Sequence, residues 1–175
     1  MEKALETQRL IMRKITLEDK ADIAEIIQDK ETMYAYEHTF RDDELDPWIQ
    51  RHLDRYRQYG YGWWALIDKK TGDYIGHAGL SMQPMDGEEV LEVGYHIKKK
   101  HWGKGYASEA AIASKEYAFN VLGADKVYSL IVQTNDASIN VAKKNGMHLE
   151  KAYIRKDFYG KDSPHYGFMV QNEKK

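Results

Sequence analysis

Cysteine is absent from the 175 residues, which excludes disulfides, thiolate zinc sites, iron–sulfur ligation and a cysteine nucleophile. Proline is scarce, with only three residues, and no Ser/Gly-rich tract or internal repeat breaks the chain. No linker is therefore expected, and residues 1–175 read as one domain. An excess of one charge is lacking too. The 26 Lys and Arg face 28 Asp and Glu, for a net charge of −2, which argues against nucleic acid or anionic lipid held by bulk charge. No apolar run approaches the ~18 residues of a membrane span. The seven His show no tight ligand spacing, so no metal is expected. Met1 to Arg9 mixes acids with Arg and does not read as a signal peptide, which leaves the cytoplasm as the expected compartment.

What is present suits a globular domain: 42% hydrophobic and 31% charged residues. Arg9–Lys14 reads as a strand, and Thr16 precedes a helix with acids in its first turn and Ile23, Ile26 and Ile27 at helical spacing. Asp46-Pro47 reads as the cap and first residue of a second helix that stops at Gly60. Trp63–Asp68 and Tyr74–Leu80 flank a Gly-containing turn as a hairpin. Val90–Ile97 is the fourth predicted strand. Ala107–Leu122 is an Ala-rich helix, Val127–Gln133 the fifth strand, Ser138–Lys144 a short helix, and Leu149–Ile154 and Tyr166–Gln171 close the chain as strands. The order predicts a mixed α/β domain with a right-handed crossover between the fourth and fifth strands.

The most informative stretch is Leu91 to Ala110, where a strand, a Gly-bearing loop and a helix follow one another. Gly103 and Gly105 permit backbone angles and close approaches that other residues resist, and the free N–H groups of a helix start can hold a phosphate. Lys104 adds a cation and Ser108 a hydroxyl. Read alone, the stretch also fits a turn that needs Gly only for shape. It is neither a P-loop nor a dinucleotide fingerprint, because no G-K-[ST] follows at the right spacing and Ser108 stands where a third Gly would be. A second stretch, Thr134 to Met147, offers Asn135 or Asp136 as a helix cap and Ser138 early in the helix.

Taken together, the two stretches resemble the GNAT superfamily of acyl-CoA-dependent N-acetyltransferases. The family's Gln/Arg-x-x-Gly-x-Gly/Ala loop falls on Trp102, Gly103, Lys104, Gly105, Tyr106 and Ala107, with Trp102 in place of Gln or Arg. Its later helix motif falls on Asn135, Ser138, Val141, Ala142 and Gly146. The opening T-Q-R-L-I-M-R-K-I-T-L-E-D is similar to the Rim-type branch, which acetylates the N-termini of ribosomal proteins. The resemblance implies a mixed sheet of about 6–7 strands, splayed between the fourth and fifth and flanked by about four helices. It implies acetyl-CoA as cosubstrate, with pantetheine along Tyr95, His96 and Ile97, pyrophosphate on Trp102 to Ser108, and Asn135 beside the pantetheine arm. The expected partners are acetyl-CoA and an amine, with no nucleic acid and no membrane; a homodimer is compatible.

The same resemblance assigns the chemistry. The position where many members carry an acidic Tyr is Ala142, so Ser138, one turn earlier, is the candidate to stabilise the leaving thiolate. Glu92 is the candidate base, with His96 as its alternative. Strand parity puts Glu92, Gly94 and His96 on one face, unless a bulge shifts the count. Tyr34, Tyr36, Trp63, Trp64, Phe158, Tyr159 and Tyr166 are candidates for an acceptor cleft, of which two or three are expected to reach it. The acids Glu37, Asp42, Asp43 and Glu44, with His38, would rim that cleft and suit a cationic amine. The expected reaction is acetyl transfer to a primary amine, most readily a peptide or protein N-terminus. Small amines or polyamines are the alternative acceptors, and a CoA-binding sensor without turnover is the rival class.

Overall fold

The computed structural model describes residues 2–175. Its elements are β1 (Lys3–Glu6), β2 (Leu10–Lys14), α1 (Lys20–Ile27), α2 (Leu45–Tyr59), β3 (Trp63–Asp68) and β4 (Tyr74–Met85). They continue as β5 (Glu88–Ile97), α3 (Tyr106–Asn120), β6 (Lys126–Val132), α4 (Asp136–Lys144), β7 (His148–Phe158) and β8 (Lys161–Gln171). The strands form one sheet in the order β1-β2-β3-β4-β5-β6-β8-β7. Eight strands replace the expected 6–7, because Lys3–Glu6 pairs on the edge of β2. Its four residues, largely exposed, carry no alternation from which a strand could be read. The predicted fourth and fifth strands are thus β5 and β6. They are parallel, joined through α3.

Alternation along the strands divides the core into two layers. Trp64 and Leu66 of β3, with Val93 and Ile97 of β5, pack against the small face of α3, where Ala110, Ala111 and Ala118 are fully buried. On the opposite face, Ala65 and Tyr74 pack with Ile23, Ile26 and Ile27 of α1 and with Trp48 and Ile49 of α2. The four helices thus flank the sheet on both sides.

Helix α2 starts two residues earlier than expected. Glu44 occupies the cap position, and Pro47 is the third helical residue, where its missing N–H still costs nothing because the first turn has no intrahelical acceptor. Asp46, expected as the cap, pairs instead with Lys20 at 3.0 Å. The helix ends at Gly60 (φ 79°), whose N–H donates to the Tyr56 carbonyl. Among the described residues no helix is long and apolar enough to cross a membrane.

Candidate functional site

Strands β5 and β6 meet in register at a single position, Glu92 opposite Tyr128, and then diverge. Two side chains tie the crotch of this V: the Leu130 N–H donates to Glu92 Oε2 at 3.0 Å, and Ser129 Oγ donates to the Val93 carbonyl at 2.9 Å. Beyond the crotch, Tyr95, His96 and Ile97 border a cavity of about 350 Å³, with Ala137, Ser138 and Val141 of α4 on its other side. The Tyr95 hydroxyl reaches across to donate to the Ser138 carbonyl at 2.9 Å, so the phenol braces the open arms.

The cavity ends on the loop between β5 and α3. Trp102 donates its indole N–H to the Ile97 carbonyl at 2.8 Å, which folds the loop back over the strand end. Gly103 (φ 73°) and Gly105 (φ 82°) take left-handed angles that favour glycine. Gly105 is the N-cap of α3 and supplies no side-chain cap, so the first-turn N–H groups at Tyr106, Ala107 and Ser108 stay free beside the cavity those residues line. Free amides, a helix dipole and left-handed glycines together make an anion cradle.

A clamp outside the cavity fixes this loop. Glu109 accepts from Thr7 Oγ1 at 2.6 Å, from the Arg9 N–H at 2.8 Å and from Arg9 Nε at 2.7 Å. Arg9 also donates to the Lys104 carbonyl at 2.9 Å and lies over the Tyr106 ring at 4.2 Å. Burial alone would raise the Glu109 carboxyl; the bonds from Thr7 and Arg9 outweigh it and hold it below its ordinary value. Tyr106 in turn donates to Asp68 at 2.9 Å. Lys104 is exposed and does not line the cavity.

At the start of α4, Asn135 is the cap, its Oδ1 accepting from the Ser138 N–H and the Tyr34 hydroxyl, both at 3.2 Å. Such a cap is worth about 1 kcal/mol. Ser138 and Val141 face the cavity, while Ala142 is buried in the core.

A second, smaller cleft of about 160 Å³ opens on the other face of β5. Glu92 lines both this cleft and the crotch. The pairing of β5 with β4 runs without interruption from Ile97 opposite Gly76 to Glu88 opposite Met85, so no bulge disturbs the parity, and Glu92, Gly94 and His96 share a face. A side chain at Gly94 would collide with the Trp63 ring, which closes the cleft from above. Removal from water pushes the Glu92 carboxyl up to about 7, although Arg155, the Leu130 N–H and Arg55 pull the other way.

His96 lies in a buried chain of ring contacts. Its Nε2 is 2.9 Å from the Tyr36 hydroxyl and its Nδ1 is 3.3 Å from His77 Nε2, and His77 Nδ1 is 3.1 Å from the Tyr74 hydroxyl. A register shift between β3 and β4 allows Tyr74 and His77, three residues apart, to face the same way. Burial lowers His96 to about 4 and holds His77 well below its ordinary value, so both rings are neutral near pH 7.

Known proteins with this architecture decide the family. The family model described as "Acetyltransferase (GNAT) domain" matches residues 9–148. The chain belongs to the GNAT acetyltransferase family. YkkB of Bacillus subtilis (strain 168) is 35% identical over 153 residues, 87% of this chain and 88% of that protein. The ribosomal-protein-S5-alanine acetyltransferase of Vibrio fischeri shares the fold with a TM-score of 0.76 at 19% identity, covering 97% of this chain and 96% of the other. Spermidine N-acetyltransferase of Vibrio cholerae, solved with CoA and spermine, has a TM-score of 0.75 at 17% identity, over 95% and 97% of the two chains. The protein is an acyl-CoA-dependent N-acetyltransferase, of a family that uses acetyl-CoA.

The acetyltransferase departs from its sequence-based expectations at the cleft. Of the candidates, Tyr36, Trp63, Phe158 and Tyr159 line it, four where two or three were expected, and Trp48, which was not a candidate, lines it too. Tyr34 lines the larger cavity, Trp64 is core, and Tyr166 packs on Phe168. The acidic rim is not there. Asp42 accepts from Gln28, Asp43 and Glu44 share Arg41, and Glu37 pairs with Lys161, and none of these acids lines the cleft. Arg51, Arg55 and Arg155 line the cleft instead. Nothing in their sequence context marked them, since arginines at i and i+4 of a helix read as solvated surface.

Proposed function

We propose that this acetyltransferase, acting as a single domain over residues 1–175, moves acetyl from acetyl-CoA to an α-amine at a peptide or protein N-terminus. The observation that carries the reading is Glu92, which lies where the gap between β5 and β6 meets the cleft behind it. A carboxyl held near pH 7 is a modest base. An α-amine, with an unperturbed pKa of about 7.7–8.0 against about 10.4 for Lys, needs only a modest base to become neutral.

Acetyl-CoA supplies an activated acetyl group as its thioester. In this reading the free amides from Gly103 to Ser108 take the pyrophosphate, and Trp102 and Lys104 shape the loop that carries them. The main chain of Tyr95, His96 and Ile97 bonds the pantetheine as an added strand, while Asn135, whose side-chain nitrogen is uncommitted, lies beside it. Ser138 stabilises the leaving sulfur with its hydroxyl. Glu92 accepts the amine proton, directly or through water, and neutral His96 orients Tyr36 at the junction. Polyamines fit poorly, because arginines line the cleft.

The test is release of free CoA at saturating acetyl-CoA. A short peptide with a free N-terminus should react faster than the same peptide acetylated at its N-terminus and carrying Lys. Preference for spermidine over every peptide would replace this reading with a polyamine acetyltransferase.

A further inference from the structure

The cleft beside Glu92 gathers three of the chain's seven arginines. Of the chain's arginines, Arg9, Arg13, Arg41 and Arg57 each pair with a carboxylate. Arg51, Arg55 and Arg155 pair with none among the described residues, and these are the arginines that line the cleft. They come from separate elements. Arg51 and Arg55 lie one turn apart on α2, while Arg155 comes from β7, where pairing with β8 shifts register between Arg155 and Phe158. Arg155 is held in place, with Nη2 donating to Gln83 at 2.9 Å and its guanidinium over the Phe158 ring at 4.7 Å. Burial and the neighbouring Arg51 pull the Arg55 guanidinium below its ordinary value, a cost that an anion between them would remove.

Other donors point to the same chemistry. Trp63 lines the cleft, and its indole nitrogen, which can only donate, is buried without a partner. Glu92 is the one carboxylate among the lining residues, against three guanidinium groups. His52, buried beside Trp48, is lowered to about 3 by burial and adds no charge. The cleft therefore carries a surplus of positive charge beside one unpaired indole N–H.

We infer that the acceptor is an amine bearing a carboxylate close to the reacting nitrogen, which Arg51, Arg55 and Arg155 bind while Glu92 faces the amine. Guanidinium forks match carboxylate oxygens in pairs, so the arginines select both charge and orientation. The carboxylate can come from the acidic side chain of a first residue, Asp or Glu, or from the α-carboxylate of a free amino acid. This inference rests on the proposed acetyl transfer to an α-amine and narrows it.

The experiment compares CoA release, at saturating acetyl-CoA, for peptide amides that begin with Asp, Asn or Lys and differ nowhere else. Free glutamine and glutamine α-amide, which differ only in the α-carboxylate, form a second arm that separates the two sources of the carboxylate. The carboxylate-bearing member of at least one arm should exceed its neutral partner by about tenfold in kcat/KM, mainly through KM. The ratio should fall toward one in the R51Q/R55Q/R155Q triple variant, while its Kd for acetyl-CoA stays at the wild-type value. Calorimetry with the product pair N-acetyl-Asp-Ala amide and N-acetyl-Asn-Ala amide, in the presence of CoA, reads charge selection without turnover. Tighter binding of the acidic product with no CoA release from any amine would uphold the arginine site and sink the acetyl-transfer reading. Equal turnover within both arms, or a preference that survives the triple variant, would overturn the inference and leave acetyl transfer standing.

Discussion

Glu92 accepts the Leu130 amide at 3.0 Å across the crotch of the V, so the carboxyl proposed as base is held by the strand on the opposite arm. One oxygen is thereby occupied by a fixed donor and the other is left for chemistry. Because that carboxyl titrates near 7, kcat at saturating acceptor should fall about tenfold per pH unit below 7 and level off above it. Glu92→Gln should abolish this limb and lower kcat by about 10²–10⁴. A pH profile unchanged in that variant would remove Glu92 from the reaction.

The same residue carries a stability signature of opposite sense. The folded carboxyl lies above its unfolded value, so the folded state keeps a proton that the unfolded chain has released. The stability this brings is present in acid and is lost as pH rises through about 7. Glu92→Gln should therefore melt higher than wild type at pH 8, measured by calorimetry, although it is the less active protein.

Loop geometry makes a prediction about cofactor affinity. Saturating acetyl-CoA at 100 times its Kd should stabilise the fold by about 2.7 kcal/mol. Gly105 takes φ 82°, and the nearest atom a Cβ would meet is an Arg9 nitrogen at 3.5 Å. Gly105→Val therefore suffers from backbone conformation and from the bulk it adds beside the free amides, not from a clash with the core. It should fold, and it should lose the ligand-induced rise in melting temperature. An unchanged acetyl-CoA Kd would refute the cradle.

Ser138 faces the cavity, and its backbone is held at both ends, by Asn135 and by the Tyr95 hydroxyl. Ser138→Ala should leave helix and cofactor affinity intact and reduce kcat by an amount equal to one bond to a charged sulfur, roughly 1.5–3 kcal/mol. Normal kcat would make Ser138 a helix residue only. Restoring a tyrosine at Ala142 offers no rescue, because Ala142 is buried in the core.

His52, His77 and His96 are all depressed by burial. A histidine whose folded pKa lies below its unfolded one lets the unfolded chain take the proton first. Stability is then full above about 6.5 and falls as the solution is acidified toward the folded value, by up to about 1.4 kcal/mol per pH unit for each ring. Urea unfolding between pH 7 and 5 should show this slope, and His77→Gln should make it shallower.

The legible parts of the chain were those where local physics and tertiary role agree. Gly60, Gly103 and Gly105 needed left-handed angles, Asn135 needed to cap, and the alternation of β5 survived because its pairing with β4 is unbroken. β1 was hidden because a four-residue edge strand, exposed except at Leu5, is too short to show an alternation. β7 and β8 are longer than their apolar runs for a similar reason, since Arg155, Lys156 and Asp162 occupy paired positions or the turn beside them. The Thr7–Arg9–Glu109 clamp and the convergence of Arg51, Arg55 and Arg155 lie a hundred residues apart in the chain, and only closure of the fold brings them together.

The strand order β6-β8-β7 places the chain's last strand in the interior of its half of the sheet. During synthesis on a ribosome, β5, α3 and the anion cradle leave the exit tunnel before Lys161–Gln171 exists as free chain. Until then β6 and β7 have no strand between them, and Arg155 has no hairpin to aim it. A nascent chain can therefore assemble its cradle before its acceptor cleft. Loss of the final dozen residues should leave two unpaired edges prone to aggregation instead of a shortened enzyme.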